Sequence, residues 1–234
     1  MNQPLLKVDK IHTYYGNSHI LQGVSLEVAQ GEVVILAGRH GVGKTTTLLS
    51  LMGIQPPSQG TISFNHTIIS GKPSWQIARL GLGLVPEKRL LFPQLTVQEN
   101  LEVAQRKTQD NYTLEQAFQD FPELIQFRHK LACNLSGGQQ QMLTIARTLM
   151  GNPTLILMDE PTEGLAPILV ERITEIINNL KIRGKTILIT GQNLEFAYLL
   201  AQQIYILDTG IIQWSGKIEQ LHEETEIWQR YLAL

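Results

Sequence analysis

One cysteine, Cys133, stands in the whole 234-residue chain. That scarcity excludes an intrachain disulfide and a cysteine-rich metal cluster, and Cys133 reads as a half-buried small residue rather than a nucleophile. Charge of one sign is also lacking: 19 Lys and Arg face 21 Asp and Glu, a formal net charge of -2. Such a balance gives no general electrostatic reason to bind nucleic acid or an anionic membrane, and no nucleic-acid partner is expected. No apolar run reaches the roughly 18 residues of a spanning helix. The opening MNQPLLKVDK has no apolar stretch of the secretory kind. The expected place is therefore the cytoplasm, which leaves docking to a membrane protein open.

The hydrophobic content of 43%, against 17% charged residues, is that of a folded chain with a sizeable core. LLKVDKIHTYY and VSLEV predict early strands with turns at Gly16 to His19 and at Gln30-Gly31. EVVILAGRHGVGKTTTLLSLMG passes from an apolar β-rich run through a glycine loop into a helix reaching Leu51. TISFN reads as a strand, and PSWQIARL as a short helix with Trp75 on its inner face. From about residue 87 to 152 the pattern becomes helical, in TVQENLEVAQRK, TLEQAFQDFPELI and GGQQQMLTIARTLM. This reads as a helical subdomain, 87–152, inserted into a sheet domain. TLILM and KTILIT then predict buried strands around the helix PILVERITEIINNL, IYILDTGIIQWSG a hairpin, and ETEIWQRYL a closing helix. The expected fold is α/β, a mostly parallel sheet covered on both sides with an early antiparallel β region.

GRHGVGKT has Gly38, Gly43, Lys44 and Thr45 at the spacing of a phosphate loop, with Gly41 between. Glycines there let backbone N–H groups curl around phosphate oxygens while the next helix aims its amino end at the anion. Lys44 supplies a mobile cation and Thr45 a hydroxyl for Mg²⁺. Placed between a strand and a helix, this pattern predicts a nucleoside triphosphate site. GLGLVP at 81–86 reads as a strand boundary. His40 has no second metal ligand beside it and reads as a loop side chain; the metal expected is a hard, oxygen-bound cation.

LILMDEPTEG puts Asp159 and Glu160 at the end of an apolar strand. Consecutive residues there point different ways, so Asp159 can hold Mg²⁺ through water while Glu160 faces the attacking water. Catalysis would then consist of aligning water and offsetting charge on the terminal phosphate with Lys44, the metal and backbone donors. LSGGQQQ exposes a second helix amino end after Ser136-Gly137-Gly138. Within one chain that corner would have to fold back onto the sheet domain; two facing copies can exchange it by symmetry.

The combination of GRHGVGKT, LSGGQQQ and LILMDEP, over nearly all of residues 5 to 215, resembles the nucleotide-binding subunit of ATP-binding-cassette transporters. The resemblance implies that residues 1–234 are one cassette domain acting as a Mg²⁺-dependent ATPase. It further implies a head-to-tail dimer with ATP between Gly38 to Thr46 of one copy (Gly38, Arg39, His40, Gly41, Val42, Gly43, Lys44, Thr45, Thr46) and Ser136, Gly137 and Gly138 of the other. Tyr15 matches the aromatic that stacks on adenine, with Tyr14 as the neighbouring alternative. Glu163 and Gly164 match the turn that communicates across the dimer, and VPEKRLLFPQLTVQENL the segment facing the membrane subunits.

Two positions depart from the family. Glu87 replaces the usual glutamine that contacts Mg²⁺ and water; its carboxylate can coordinate the metal but would repel a developing anion. Gln192 replaces the histidine that contacts the γ-phosphate and supplies no titratable charge, which argues against an acid–base role there. VPEKR, TGQN and PTEGLAP together resemble the branched-chain amino-acid uptake subgroup. That implies transmembrane permease subunits, a second ATPase subunit or a second copy, a solute-binding protein, and a peripheral position on the cytoplasmic face of the membrane. Neutral amino acids, amides or urea are the alternative solutes. A soluble cassette ATPase is a competing class, disfavoured by the lack of a coiled-coil insertion, a second cassette or a basic patch; a nucleotide-responsive scaffold with negligible turnover is a third.

Overall fold

Three five- or six-residue apolar runs fix the centre of the molecule: β3 (Val33–Ala37), β7 (Leu155–Asp159) and β8 (Thr186–Gly191) are buried almost throughout, as strands covered on both faces must be. The computed structural model describes residues 4–106, 112–221 and 230. Six strands form the main sheet in the order β10-β9-β3-β8-β7-β6, with β6 at Leu82–Val85, β9 at Gln203–Asp208 and β10 at Ile211–Lys217. Neighbours from β9 to β6 are parallel, and β10 returns antiparallel on β9 as the hairpin the sequence predicts.

Period-two alternation divides the core into two layers. Val33, Ile35, Ile156, Met158, Ile187 and Ile189 face one side, packed with α5 (Gly137–Met150), α6 (Pro167–Ile182) and α7 (Leu194–Leu200). Val34, Leu36, Leu155, Leu157 and Leu188 face the other, against α1 (Lys44–Leu51) and a second sheet. That sheet is antiparallel, β2-β1-β4-β5, from β1 (Leu6–Tyr15), β2 (Ser18–Val28), β4 (Gln59–Phe64) and β5 (Thr67–Ile68). The α/β class with a mostly parallel sheet, an early antiparallel region and helical insertion is the architecture observed.

Among the described residues between β6 and β7 the elements are helical: α3 (Val97–Glu102), α4 (Leu114–Asp120), 3-10 turns at Pro122–Phe127 and Ala132–Asn134, and α5. Helices of six and seven residues are marginal alone. Here α3, α4 and α5 each start on a capping box, Thr96 with Glu99, Thr113 with Gln116 and Ser136 with Gln139, which satisfies two amino-terminal donors reciprocally. Asn100, fully buried on α3, bonds both the N–H and the carbonyl of Phe92 and so pins the incoming loop. Arg183 and Arg172 tie this region to α6: Arg183 donates to both Asp120 carboxylate oxygens at 2.6 Å, and Arg172 pairs with Glu123.

Three expectations change. Trp75 is 55% exposed rather than inward, because α2 (Ser74–Leu80) buries only Ile77 and Arg79 lies over the indole at 4.9 Å. Cys133 is exposed rather than half-buried, its short 3-10 turn burying Ala132 instead. The helix beginning at Val97 stops at Glu102, well before Arg106. The closing helix expected in ETEIWQRYL lies outside the described residues, Arg230 excepted. Among the described residues no helix is long and apolar enough to cross a membrane.

Candidate functional site

The loop after β3 is built around two close approaches. A Cβ on Gly38 would lie 2.3 Å from the Leu207 carbonyl oxygen, and one on Gly43, at φ 114°, 2.8 Å from Leu21 Cδ2. Glycine is required at both. Gly43 caps α1 without a side-chain bond, which leaves the first-turn N–H groups free to meet an anion. Lys44 curls back along the loop, its Nζ donating to the carbonyls of Gly38 at 2.7 Å and Arg39 at 2.9 Å. A cavity of about 270 Å³ opens over this loop, lined also by Tyr15, Ile20, Glu87 and Glu160.

Asp159 ends β7 in register with Thr190 of β8. Thr190 Oγ1 donates to Asp159 Oδ1 at 2.7 Å, Thr45 Oγ1 donates to the same atom at 3.1 Å, and the Glu160 N–H donates to Thr190 Oγ1 at 3.0 Å. Thr190 thus anchors both acidic residues, a role that single-strand reading misses because it depends on pairing between β7 and β8. Burial pushes the Asp159 carboxyl up; the two threonine hydroxyls oppose this, and the charges of Glu87 and Glu160 add to it. Glu160 takes φ 45°, a left-handed conformation that costs a non-glycine residue on the order of 1 kcal/mol. Its Oε1 lies 2.9 Å from Lys44 Nζ, both side chains being buried. Oε1 accepts no hydrogen bond, so this is a charge contact without directed bonding.

The structure gathers His40, Gly41, Gly43, Lys44, Thr45 and Thr46 around one cavity. Tyr15, 45% exposed, lines the same cavity, whereas Tyr14 stacks on His19 with centroids 4.2 Å apart. Arg39 turns away, donating to the Arg230 carbonyl, and Val42 packs on the core. Gln192 meets the loop through His40, with Nε2 to Nε2 at 2.8 Å. Ser136, Gly137 and Gly138 begin α5 and are not among the residues lining this cavity. Ser136 caps its own helix, and a Cβ on Gly138 would meet Leu169 Cδ1 at 2.2 Å, so glycine there also serves packing against α6.

The chemistry of the donors suits Mg²⁺ with a triphosphate. Thr45 and Asp159 offer oxygen ligands side by side, and the described residues contain no group of three or more His, Cys, Asp or Glu able to hold a metal. A cation that keeps its waters and shares phosphate oxygens needs only one or two protein ligands.

Residues 21–163 match the family model described as ABC transporter. The chain belongs to that family. Over 211 residues, 89% of this cassette and 91% of the relative, it is 41% identical to the high-affinity branched-chain amino acid transport ATP-binding protein BraG of Pseudomonas aeruginosa. It is 34% identical, over 94% of its length and 93% of the relative's, to the lipopolysaccharide export system ATP-binding protein LptB of Escherichia coli strain K12. A dimeric ATP-binding cassette in a post-hydrolysis state with ADP and Pi superposes with TM-score 0.80 at 26% identity, covering 91% of this chain and 98% of that one. The cassette is accordingly a Mg²⁺-dependent ATPase, an energy-coupling subunit that binds ATP and Mg²⁺.

Proposed function

We propose that this ATPase energises uptake of branched-chain or other hydrophobic amino acids. The observation that carries the reading is the 41% identity to the branched-chain transport protein over 89% of the chain, supported by VPEKR, TGQN and PTEGLAP in the sequence. In this reading Lys44 and the loop amides hold the phosphates, Thr45 and Asp159 with Glu87 surround Mg²⁺, and Glu160 polarises the attacking water. Tyr15 stacks on adenine. Ser136, Gly137 and Gly138 of a second cassette, identical or related, close the site from across a dimer, residues 87–152 acting as the helical subdomain that carries them.

The permease pair would dock on the groove of about 960 Å³ between β6, α2 and α5, where exposed Trp75, Leu90 and Val103 alternate with Arg79, Arg106 and Arg147. A cytoplasmic, peripheral position and a solute-binding protein complete the proposed system. Uptake of labelled leucine, isoleucine, valine, phenylalanine and urea in cells deleted for the gene tests it. Loss of leucine-class uptake, restored by the wild-type chain but not by Glu160→Gln, supports the reading. Intact uptake of all the amino acids overturns the solute class; a defect in urea alone moves the solute to the amide class.

A further inference from the structure

The chain between Glu87 and Arg89 passes from one surface of the cassette to another. Glu87 lines the cavity over the phosphate loop. Two residues on, the half-buried guanidinium of Arg89 lies flat against the first residue of α5: a Cβ on Gly137 would stand 3.4 Å from Arg89 Nη1, 3.5 Å from Nη2 and 3.7 Å from Cζ. The backbone that brings it there is unfavourable, with Arg89 at φ 61° and Leu90 at φ 46°, both left-handed. It is held in place because the Arg89 N–H donates to the Pro86 carbonyl at 3.1 Å and Arg147 donates to the Arg89 carbonyl at 3.2 Å.

The charge placed in this way is unbalanced. The amino end of a helix carries partial positive charge, so a cation packed on it is repelled unless an anion joins the pair. Among the described residues Arg89 has no carboxylate within ion-pair distance, and its side chain makes one hydrogen bond, from Nε to Gln141 Oε1 at 3.3 Å. Gln141, 3% exposed, keeps an Nε2 with no acceptor among those residues. The capping box takes up the N–H groups of Ser136 and Gln139, and none of the described groups accepts from those of Gly137 and Gly138. Two backbone N–H groups, the Arg89 fork and a buried amide are thus donors without acceptors at one corner, a set that a multiply charged oxyanion completes.

Resting on the shared-site reading above, we propose that Arg89 binds phosphate in the site of the facing cassette, beside Ser136, Gly137 and Gly138, and takes no part in the cavity that Glu87 lines. VPEKR then serves two nucleotides, Glu87 the one on its own chain and Arg89 the one on its neighbour. A guanidinium suits the task because it is always charged and offers two N–H groups to phosphate oxygens.

Hydrolysis by mixed chains tests the assignment. Arg89→Gln keeps a donor for Gln141 and removes the charge. It should bind Mg²⁺-ATP as the wild-type chain does, since its own cavity is untouched, yet hydrolyse it about 10²-fold more slowly at saturating nucleotide. Arg89→Lys should recover part of that loss through its charge, which a purely packing role would not give. Mixed with excess Glu160→Gln chains, Arg89→Gln should regain activity, because one site then joins its intact Lys44 and Glu160 to the other chain's Arg89. If Ser136→Arg recovers on such mixing and Arg89→Gln does not, Arg89 acts in its own chain's site and the proposal falls while the shared site stands. Full activity of Arg89→Gln, loss of its ATP binding, or no relief by Arg89→Lys would also overturn it. Failure of Ser136→Arg to recover would overturn the shared-site reading and the proposal together.

Discussion

Lys44 Nζ and Glu160 Oε1 approach to 2.9 Å with both side chains buried, so the loop that holds phosphate and the carboxylate proposed to polarise water share one charge contact. Replacing Glu160 by Gln keeps the shape and removes the base. The variant should bind Mg²⁺-ATP and hydrolyse it about 10²-fold more slowly or worse. Single-turnover hydrolysis at saturating nucleotide measures this, and near-parental turnover removes Glu160 from the role.

Thr190 is the residue to which both acids are tied. Thr190→Val keeps the volume but leaves the Glu160 N–H without its acceptor and takes from Asp159 Oδ1 one of its two hydroxyl donors, Thr45 remaining, in a place water hardly reaches. We expect a loss of about 1–3 kcal/mol in urea unfolding together with slower hydrolysis, both largely restored by Thr190→Ser. A Thr190→Val chain as stable and active as wild type would show that Glu160 holds its left-handed backbone unaided.

Ser136 offers a test of the shared site. Ser136→Arg should fold and bind ATP yet fail to hydrolyse it, because bulk at that corner blocks closure against a second copy. Mixed with excess Glu160→Gln chains, also inactive, it should regain activity, since one composite site then joins its intact Lys44 and Glu160 to the other chain's intact Ser136. Wild-type hydrolysis by pure Ser136→Arg would refute the role of the corner. A verified mixed dimer that stays inactive would refute independent composite sites.

The tie between α4 and α6 predicts a pH dependence of stability. Burial alone would raise the Asp120 carboxyl, but hydrogen bonds from Arg183 and Tyr112, with the charges of Arg183 and Arg172, hold it below the ordinary carboxylate range. A carboxylate depressed in the folded state contributes stability above its unfolded value of about pH 4, lost as pH falls through the lower folded value. Arg183→Gln should therefore destabilise the chain by about 1 kcal/mol at neutral pH, and the gap to wild type should close at acid pH. Urea unfolding at both ends of that range decides it; a gap that widens in acid contradicts the assignment.

The fold was legible where a local pattern carries the whole signal. Runs such as VVILA and LILMD have one physical reading, a strand buried on both faces, and Thr, Thr and Ser followed three residues later by Glu or Gln announce three helix starts. Trp75 and Cys133 were misread because hydrophobic character alone does not say which side of a short helix or turn has a neighbour to pack against. At the candidate site, the loop and the acidic pair stand out as contiguous text, and the fold brings Thr45 to Asp159 and Lys44 to Glu160. Thr190 and the His40–Gln192 contact did not stand out, since each depends on the register of β8 beside a distant segment.

Helix α5 begins at the Ser136 cap and runs 14 residues to Met150, with Arg147 and Thr148 forming part of the wall of the large groove near its far end. At the rise of an α-helix that is a bar of about 21 Å, fastened by Arg147, which donates to the Arg89 carbonyl at 3.2 Å, and by Arg89, which donates to Gln141 Oε1 at 3.3 Å. A bar cannot be tilted at one end alone. The Ser136 corner and part of the groove wall thus share one helix, joined through Arg89 to the segment that contains Glu87.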